Sequence, residues 1–207
     1  MQNRGLLKEM IQSLCCLPGV GPKSAQRMAF HLLQRNREGA AQLGRVLGKA
    51  VSEIGYCEAC RTFTETSLCE ICSDLSRDSD LLCVVESPAD AWIIDQATSY
   101  KGKYFILHGR LSPLDGIGPE QLGIALLEQK LLCGEIKEII LATNSTVEGQ
   151  ATAHFVAEIA AKVKIRATRI AYGIPMGGEL EFIDSNTVSH AFKGRTEIFG
   201  GLQDRTL

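Results

Sequence analysis

The stretch "EIILATNSTVEGQATAHFVAEIAAKV", residues 138–163, decides the fold of this 207-residue chain. Its beginning is an apolar run typical of a buried strand, and its second half has the apolar spacing of a helix. A strand that leads through a polar loop into a helix is the building unit of parallel α/β sheets, which bind ligands outside the carboxyl ends of their strands. We therefore expect any chemistry of this region at the loop that holds Asn144, Thr146 and Glu148.

The same alternation of apolar strand and helix extends over residues 80–175, which we assign to one α/β domain with a parallel sheet covered on both faces. Right-handed crossovers would place Glu86 and Asp90, which follow the first strand, at the same edge as Glu148. Predicted strands are 81–86, 103–109, 138–144 and 165–172, and predicted helices are 88–97, 118–132 and 148–163.

Residues 1–55 are predicted to form a separate helical domain, because three stretches show apolar residues at helical spacing. The first two stretches are joined by "LPGVGPKSA", residues 17–25. Gly19 and Gly21 allow a tight turn, and Pro22 suits the first turn of the following helix. The unpaired amides at the start of that helix are suited to bind a phosphate group.

Charge also indicates an anionic partner for this first domain. Residues 1–50 carry a net charge of +6, and the rest of the chain carries −8. Lys23 and Arg27 lie four residues apart, on one helix face beside the predicted turn, which favours an anionic group such as a phosphate as the ligand. The alternatives are an ordinary turn between two helices and a solvated charged face.

Four cysteines, Cys57, Cys60, Cys69 and Cys72, are spaced as two C-x2-C pairs within residues 56–76. Each pair can turn two thiolates towards one ion, so the spacing predicts a closed, structural zinc site in a small zinc-finger domain. Unliganded buried thiols are the alternative. The other cysteines are expected to be inert core thiols: Cys15, Cys16, Cys83 and Cys133.

The remaining residues, 176–207, are predicted to be a short C-terminal tail. The segment is too small for a core of its own, so we expect it to pack on a neighbouring subunit. Its "ELEFID" stretch, residues 179–184, is interpreted as a short strand that ends at Asp184 rather than as a nucleotide-binding strand.

No apolar run approaches the roughly 20 residues of a membrane span. An acid, Glu9, interrupts the first apolar stretch, so we expect no signal peptide and a cytoplasmic protein.

Two parts of the chain resemble known domain families. The "LPGVGPKSA" turn is similar to a helix-hairpin-helix, a motif that binds the DNA backbone without reading sequence. The strand ends resemble the Toprim domain of topoisomerases, primases and some nucleases, whose catalytic glutamate matches Glu86. The two metal-binding acid positions of that family hold Asn144 and Thr146 here, so we expect the Mg²⁺ site to be lost or weakened. The remaining acids are either solvated loop residues or a patch that docks a basic partner.

Together, the hairpin, the four cysteines, the altered Toprim loop and a "GGELE" tail resemble the RecR family of bacterial recombination mediators over the whole chain. The resemblance implies a multidomain α plus α/β clamp without enzymatic activity, associated with the nucleoid. It also implies a ring-shaped homotetramer that acts with RecO and RecF to load RecA on single-stranded DNA.

The same resemblance implies three sites. Four residues near the hairpin bind DNA: Gly19, Gly21, Lys23 and Arg27. One zinc ion per chain is structural, and the sheet edge with Glu86, Asp90 and Glu148 faces RecO. The alternatives are an Mg²⁺-dependent Toprim nuclease or primase, and a protein scaffold.

Overall fold

The computed structural model describes residues 5–171 and 173–195. The chain divides between Ile54 and Gly55 into two compact units, called unit 1 and unit 2 from here on. Each unit has its own secondary structure.

Unit 1 contains three helices, α1 (Leu6–Leu14), α2 (Pro22–Arg35) and α3 (Arg37–Glu53), as the apolar spacing predicts. The second helix packs against both of the others. Among the described residues of this unit only two small side chains, Ala25 and Ala29, are fully buried, and both lie on α2. The unit therefore holds a small core, and much of its apolar surface remains exposed.

Unit 2 begins with a two-stranded antiparallel ribbon, β1 (Gly55–Tyr56) and β2 (Phe63–Thr64), followed by the short helix α4 (Glu70–Ser73). These elements carry the four spaced cysteines. The other four differ in their exposure: Cys83 is buried as predicted, but Cys16 and Cys133 are exposed and Cys15 is half-buried. The prediction of four core thiols is therefore correct only for Cys83.

The body of unit 2 is a four-stranded parallel sheet, which confirms the predicted fold class. Its strands are β3 (Asp78–Val85), β4 (Gly102–Ile106), β5 (Glu138–Ala142) and β6 (Arg166–Arg169). They lie in the order β4-β3-β5-β6, so the first strand of the sheet along the chain is an inner one. The strands are shorter at their carboxyl ends than the apolar runs suggest.

Apolar side chains are buried on both faces of this sheet, as expected for parallel strands. One cluster includes Leu127 and Val156, from the helices α6 (Ile124–Leu132) and α7 (Val147–Lys162). The second, smaller cluster includes Ala91 from the helix α5 (Pro88–Ala97).

The predicted helix at 118–132 is wrong over its first six residues, which are not helical and form turns from Pro119 onwards. The helix starts only at Ile124, because Gly123 adopts a left-handed conformation with φ of 70°. A Cβ atom at Gly123 would also collide with the Arg61 guanidinium. The left-handed Gly123 therefore marks the start of this helix.

After the sheet, the described part of the tail forms a 3-10 turn, Leu180–Phe182, and the helix α8 (Ser185–Lys193). The predicted strand at 179–184 is wrong. Asp184 instead begins α8, where its carboxylate accepts a hydrogen bond of 2.9 Å from the backbone N–H of Thr187. Residues 196–207 of the predicted tail lie outside the described residues. Of the helices described, none combines the length and the apolar character needed to span a bilayer.

Candidate functional sites

The four spaced cysteines come together in one cluster, called the cysteine cluster below. Their Sγ atoms all lie within 4.8 Å of one another, and the Sγ atoms of Cys60 and Cys69 are 3.5 Å apart. Four thiolates at about 2.3 Å from a zinc ion would lie roughly 3.8 Å from one another. Backbone amides of Cys69 and Thr62 approach the sulfurs of Cys57 and Cys60 at 3.3 and 3.5 Å. The residues therefore fit a tetrahedral zinc ion.

The thiols of this cluster also influence one another's protonation. Hydrogen bonding with Cys72, together with burial, raises the pKa of the Cys60 thiol, and the same bond lowers the pKa of Cys72 to about 6. Burial raises the pKa of Cys69 to about 11. Several thiolates cannot share this space without a cation, because each new charge is repelled by the others. A divalent ion would remove that penalty and hold all four as thiolates.

Two cations that sequence analysis missed attach the cysteine cluster to the sheet. The Arg61 guanidinium donates to the carbonyl oxygens of Ile106, at 3.0 Å, and of Leu122. The Lys103 ammonium donates to three carbonyl oxygens at the end of α4, those of Ile71, Cys72 and Asp74, at 3.1, 3.2 and 2.7 Å. These contacts join residues roughly 30 to 60 positions apart, so no local pattern could have indicated them.

At the carboxyl edge of the sheet, Glu86 and Asn144 form a tight pair, as expected for the ends of the neighbouring strands β3 and β5. The backbone N–H of Asn144 donates to Glu86 Oε1 at 2.8 Å, and its side-chain amide donates to Oε2 at 2.7 Å. Glu86 is only 6% exposed. Arg110 approaches the same carboxylate at 3.9 Å. Both oxygens of Glu86 are therefore engaged by protein groups.

The loop after β5 is packed tightly around this pair at Gly149. A Cβ atom at Gly149 would lie 2.8 Å from Glu86 Oε1 and would also collide with the Asn144 carbonyl. The Gly149 carbonyl oxygen accepts a 2.8 Å hydrogen bond from the buried Thr143 hydroxyl. Glycine is therefore required at this position for close approach.

The other polar residues of the edge serve mainly to begin helices. Thr146 is the N-cap of α7 and accepts a 3.1 Å hydrogen bond from the Gly149 amide. Asp90 and Ser87 form a capping box at the start of α5, with Asp90 Oδ2 accepting from the Ser87 amide at 2.9 Å. The half-buried Glu148 makes no side-chain hydrogen bond or ion pair within the described part of the chain.

The edge does not fit the two-carboxylate Mg²⁺ site of enzymatic Toprim domains. Asn144 and Thr146 are neutral, and hard cations of this type need carboxylate ligands to offset their charge. Glu86, which the sequence analysis places in an edge that docks a partner, is buried beneath Asn144. Only Asp90 and Glu148 remain partly accessible from that predicted set.

In unit 1, the turn before α2 has the geometry that the sequence suggests. Gly19 adopts a left-handed conformation with φ of 76°, whereas Gly21 is extended, with φ of −83°, and forms the N-cap of α2. Lys23 and Arg27 follow on the exposed side of α2 and line one surface. Neither side chain forms an ion pair or hydrogen bond with any described residue. Their charges are therefore free to meet an anion.

Four family profiles match successive parts of this chain. The profile of the RecR helix-hairpin-helix matches residues 7–51, and that of the RecR four-cysteine zinc finger domain matches 54–74. The profile of the Toprim domain matches 80–171, and that of the RecR C-terminal region matches 173–196.

Curated relatives match along nearly the whole chain. Recombination protein RecR of Methylococcus capsulatus is 56% identical over 198 residues, which cover 96% of this chain and 100% of the relative. Recombination protein RecR of Xanthomonas axonopodis pv. citri is 55% identical over 193 residues, covering 93% of this chain and 98% of the relative. The chain therefore belongs to the RecR family of recombination proteins.

Proposed function

We propose that this protein is a non-enzymatic, DNA-binding mediator of recombination in DNA repair. It forms a ring-shaped clamp of four copies that acts with RecO and RecF to help load RecA on single-stranded DNA. Each chain holds one structural zinc ion, and the protein works in the cytoplasm at the nucleoid. The names of relatives that match over more than nine tenths of the chain support the recombination role.

One observation carries the non-enzymatic part of this proposal, namely the pair of Glu86 and Asn144. An amide replaces an acid where enzymatic Toprim domains bind metal, and it donates to the glutamate at 2.7 Å. Phosphoryl transfer by a Toprim site requires a metal to stabilise the developing charge. A glutamate whose oxygens both accept hydrogen bonds from the protein is poorly placed to hold that metal.

DNA is held by electrostatic contacts from Lys23 and Arg27, with Gly19 and Gly21 shaping the turn beside them. Unpaired cations on an exposed helix neutralise phosphates and release counterions, so binding is independent of sequence and weakens steeply with salt. The basic charge of residues 1–50 supports this assignment.

Assembly into a ring is supported by the apolar surface that each unit leaves exposed. In unit 1, Leu6 and Val51 are 81% and 84% exposed, although both are large apolar residues. In the tail, Met176 and Phe182 are fully or mostly exposed, and α8 buries no residue. Exposed apolar residues in such numbers indicate contact surfaces between proteins.

RecO binds at the carboxyl edge of the sheet through the acids Asp90 and Glu148, while the buried Glu86 keeps the loop in place. Replacing both accessible acids by alanine is expected to weaken capture of RecO in a pull-down. The matched control replaces two acids outside this edge, Glu128 and Glu158, which lie exposed on α6 and α7. Equal capture by both double variants would remove the edge from the interface.

The decisive experiment incubates labelled single-stranded and duplex DNA with the full-length protein, with and without Mg²⁺ or Mn²⁺. Each sample is divided between a native and a denaturing gel. We expect DNA that is shifted on the native gel and intact on the denaturing gel. Metal-dependent cleavage that disappears in Glu86→Gln would instead establish the alternative, a Toprim nuclease.

A further inference from the structure

The exposed side of α2 carries more than the two cations already discussed. One continuous surface of this helix includes Lys23, Arg27 and Arg35 together with Gln26, Phe30 and Gln34. The helix contains no acidic residue, and none of the three cations has an ion pair within the described residues. Elsewhere in unit 1, by contrast, Lys49 pairs with Glu53 at 3.5 Å. Among the described residues, no acidic side chain compensates the charge of the α2 surface.

An aromatic side chain lies in the middle of this basic surface. Phe30 is 39% exposed and lies on the same surface of α2 as the cations. The buried side of the helix is formed by Ala25 and Ala29. Arg27 precedes Phe30 by three residues and Gln34 follows it by four, so both are its neighbours on the helix surface. An exposed ring between cations and amides is a poor contact for phosphate groups but a good one for a nucleobase.

We propose that this side of α2 binds single-stranded DNA, with a base stacked on the Phe30 ring and the phosphates on Lys23, Arg27 and Arg35. This inference rests on the proposed DNA binding and names the form of DNA that the helix recognises. The cations span about 18 Å along the helix axis, at roughly 1.5 Å per residue. The combination of cations with an exposed ring favours a nucleic acid as the occupant, since one strand offers phosphates to the cations and a base to Phe30.

The geometry favours a single strand over a duplex. The faces of the bases in a duplex are covered by their neighbours, so a side-chain ring can reach them only by opening the stack at a cost. In a single strand the bases can be splayed out and stacked on an aromatic ring, whatever their sequence. The amides of Gln26 and Gln34 are placed beside Phe30 to contact such a base or its phosphate.

The test measures binding of the full-length protein to a fluorescein-labelled oligo-dT and to a hairpin duplex of the same length, by anisotropy at low salt. We expect Phe30→Leu to weaken oligo-dT binding on the order of tenfold, because it keeps the apolar contact but removes the stacking face. Duplex binding should stay within about twofold. Lys23→Glu with Arg27→Glu should abolish both. The single reversal Arg27→Glu should weaken both, and its matched control is Arg45→Glu on α3, another exposed cation of unit 1.

A second readout reports stacking directly. Trp92 is the single tryptophan of the chain, so Phe30→Trp in a Trp92→Phe background places one indole at the proposed contact. Its fluorescence should be quenched by oligo-dT and much less by the duplex. The same titration with Arg45→Glu added should show the same quenching.

The outcomes separate this inference from the function on which it rests. If Lys23→Glu with Arg27→Glu abolishes binding but Phe30→Leu binds oligo-dT normally without indole quenching, the stacking contact is refuted and the DNA site stands. If the double charge variant binds DNA normally, the DNA site itself is refuted. If Phe30→Leu changes the mass of the assembly in light scattering and leaves DNA binding intact, this surface is a contact between copies, and the inference is overturned.

Discussion

The cysteine cluster and the Glu86–Asn144 pair both lie in unit 2, and each contains side chains that can ligate a metal. They differ in what balances the negative charge of those side chains. The cysteine cluster keeps four thiols within 4.8 Å of one another, where four thiolate charges without a cation would repel one another. At the sheet edge, an amide donor has taken the place of a second acid and satisfies the glutamate. The cysteine cluster therefore needs a cation to neutralise its thiolates, whereas at the sheet edge hydrogen bonds from Asn144 stabilise the Glu86 carboxylate without a metal.

The largest effect is expected from breaking the cysteine cluster. Cys60→Ser removes one ligand of a closed site, and structural zinc ions bind with roughly 10–16 kcal/mol in small zinc-finger peptides. We expect bound zinc to fall from one equivalent to near zero, and residues 55–74 to lose protection in hydrogen exchange. The matched control is Cys16→Ser, an exposed cysteine of unit 1.

Zinc content measured by mass spectrometry checks the first part of this prediction, and hydrogen exchange on the same samples checks the second. Unit 1 should keep its exchange pattern, because its helices belong to a separate compact unit. A Cys60→Ser protein that retains a full equivalent of zinc would show that the four thiols are not the ligands.

A smaller effect is expected when a second carboxylate is introduced beside Glu86 at the sheet edge. Asn144→Asp would place a second carboxylate where an amide now donates at 2.7 Å, beside the buried Glu86. Losing that bond and repelling a buried charge should lower the free energy of unfolding by about 1–3 kcal/mol. Mg²⁺ at millimolar concentration should recover most of the loss, because two acids then face one cation.

Urea unfolding followed by Trp92 fluorescence measures this, since the single tryptophan of the chain lies on α5 in unit 2. Asn144→Ala is the control, because it loses the same bond without adding a charge and should gain nothing from Mg²⁺. If Mg²⁺ stabilised both variants equally, the amide would not be what keeps metal from the edge.

The two sites also differ in what the sequence could predict. The cysteine cluster follows from spacing alone, and the strand, loop and helix of residues 138–163 follow from periodicity, because both patterns are local. The proximity of Glu86 and Asn144 could be expected, because parallel strands bring their carboxyl ends to one edge. The two hydrogen bonds between them could not. Arg61 and Lys103 could not be found, since their partners lie roughly 30 to 60 residues away and their role depends on the final packing.

The smallest effect concerns Thr146, the second position where an enzymatic Toprim domain has an acid. Its hydroxyl caps α7, so Thr146→Ala should lower the free energy of unfolding by about 1 kcal/mol. Thr146→Asp should retain full stability, because aspartate is an equally good N-cap and its charge suits the helix N-terminus. Mg²⁺ should not stabilise the single variant Thr146→Asp, because Asn144 still donates hydrogen bonds to both oxygens of Glu86. If Mg²⁺ raised the free energy of unfolding of this single variant, the residue at 146 rather than Asn144 would decide whether the edge binds metal. A cation would then be able to displace the Asn144 amide from Glu86.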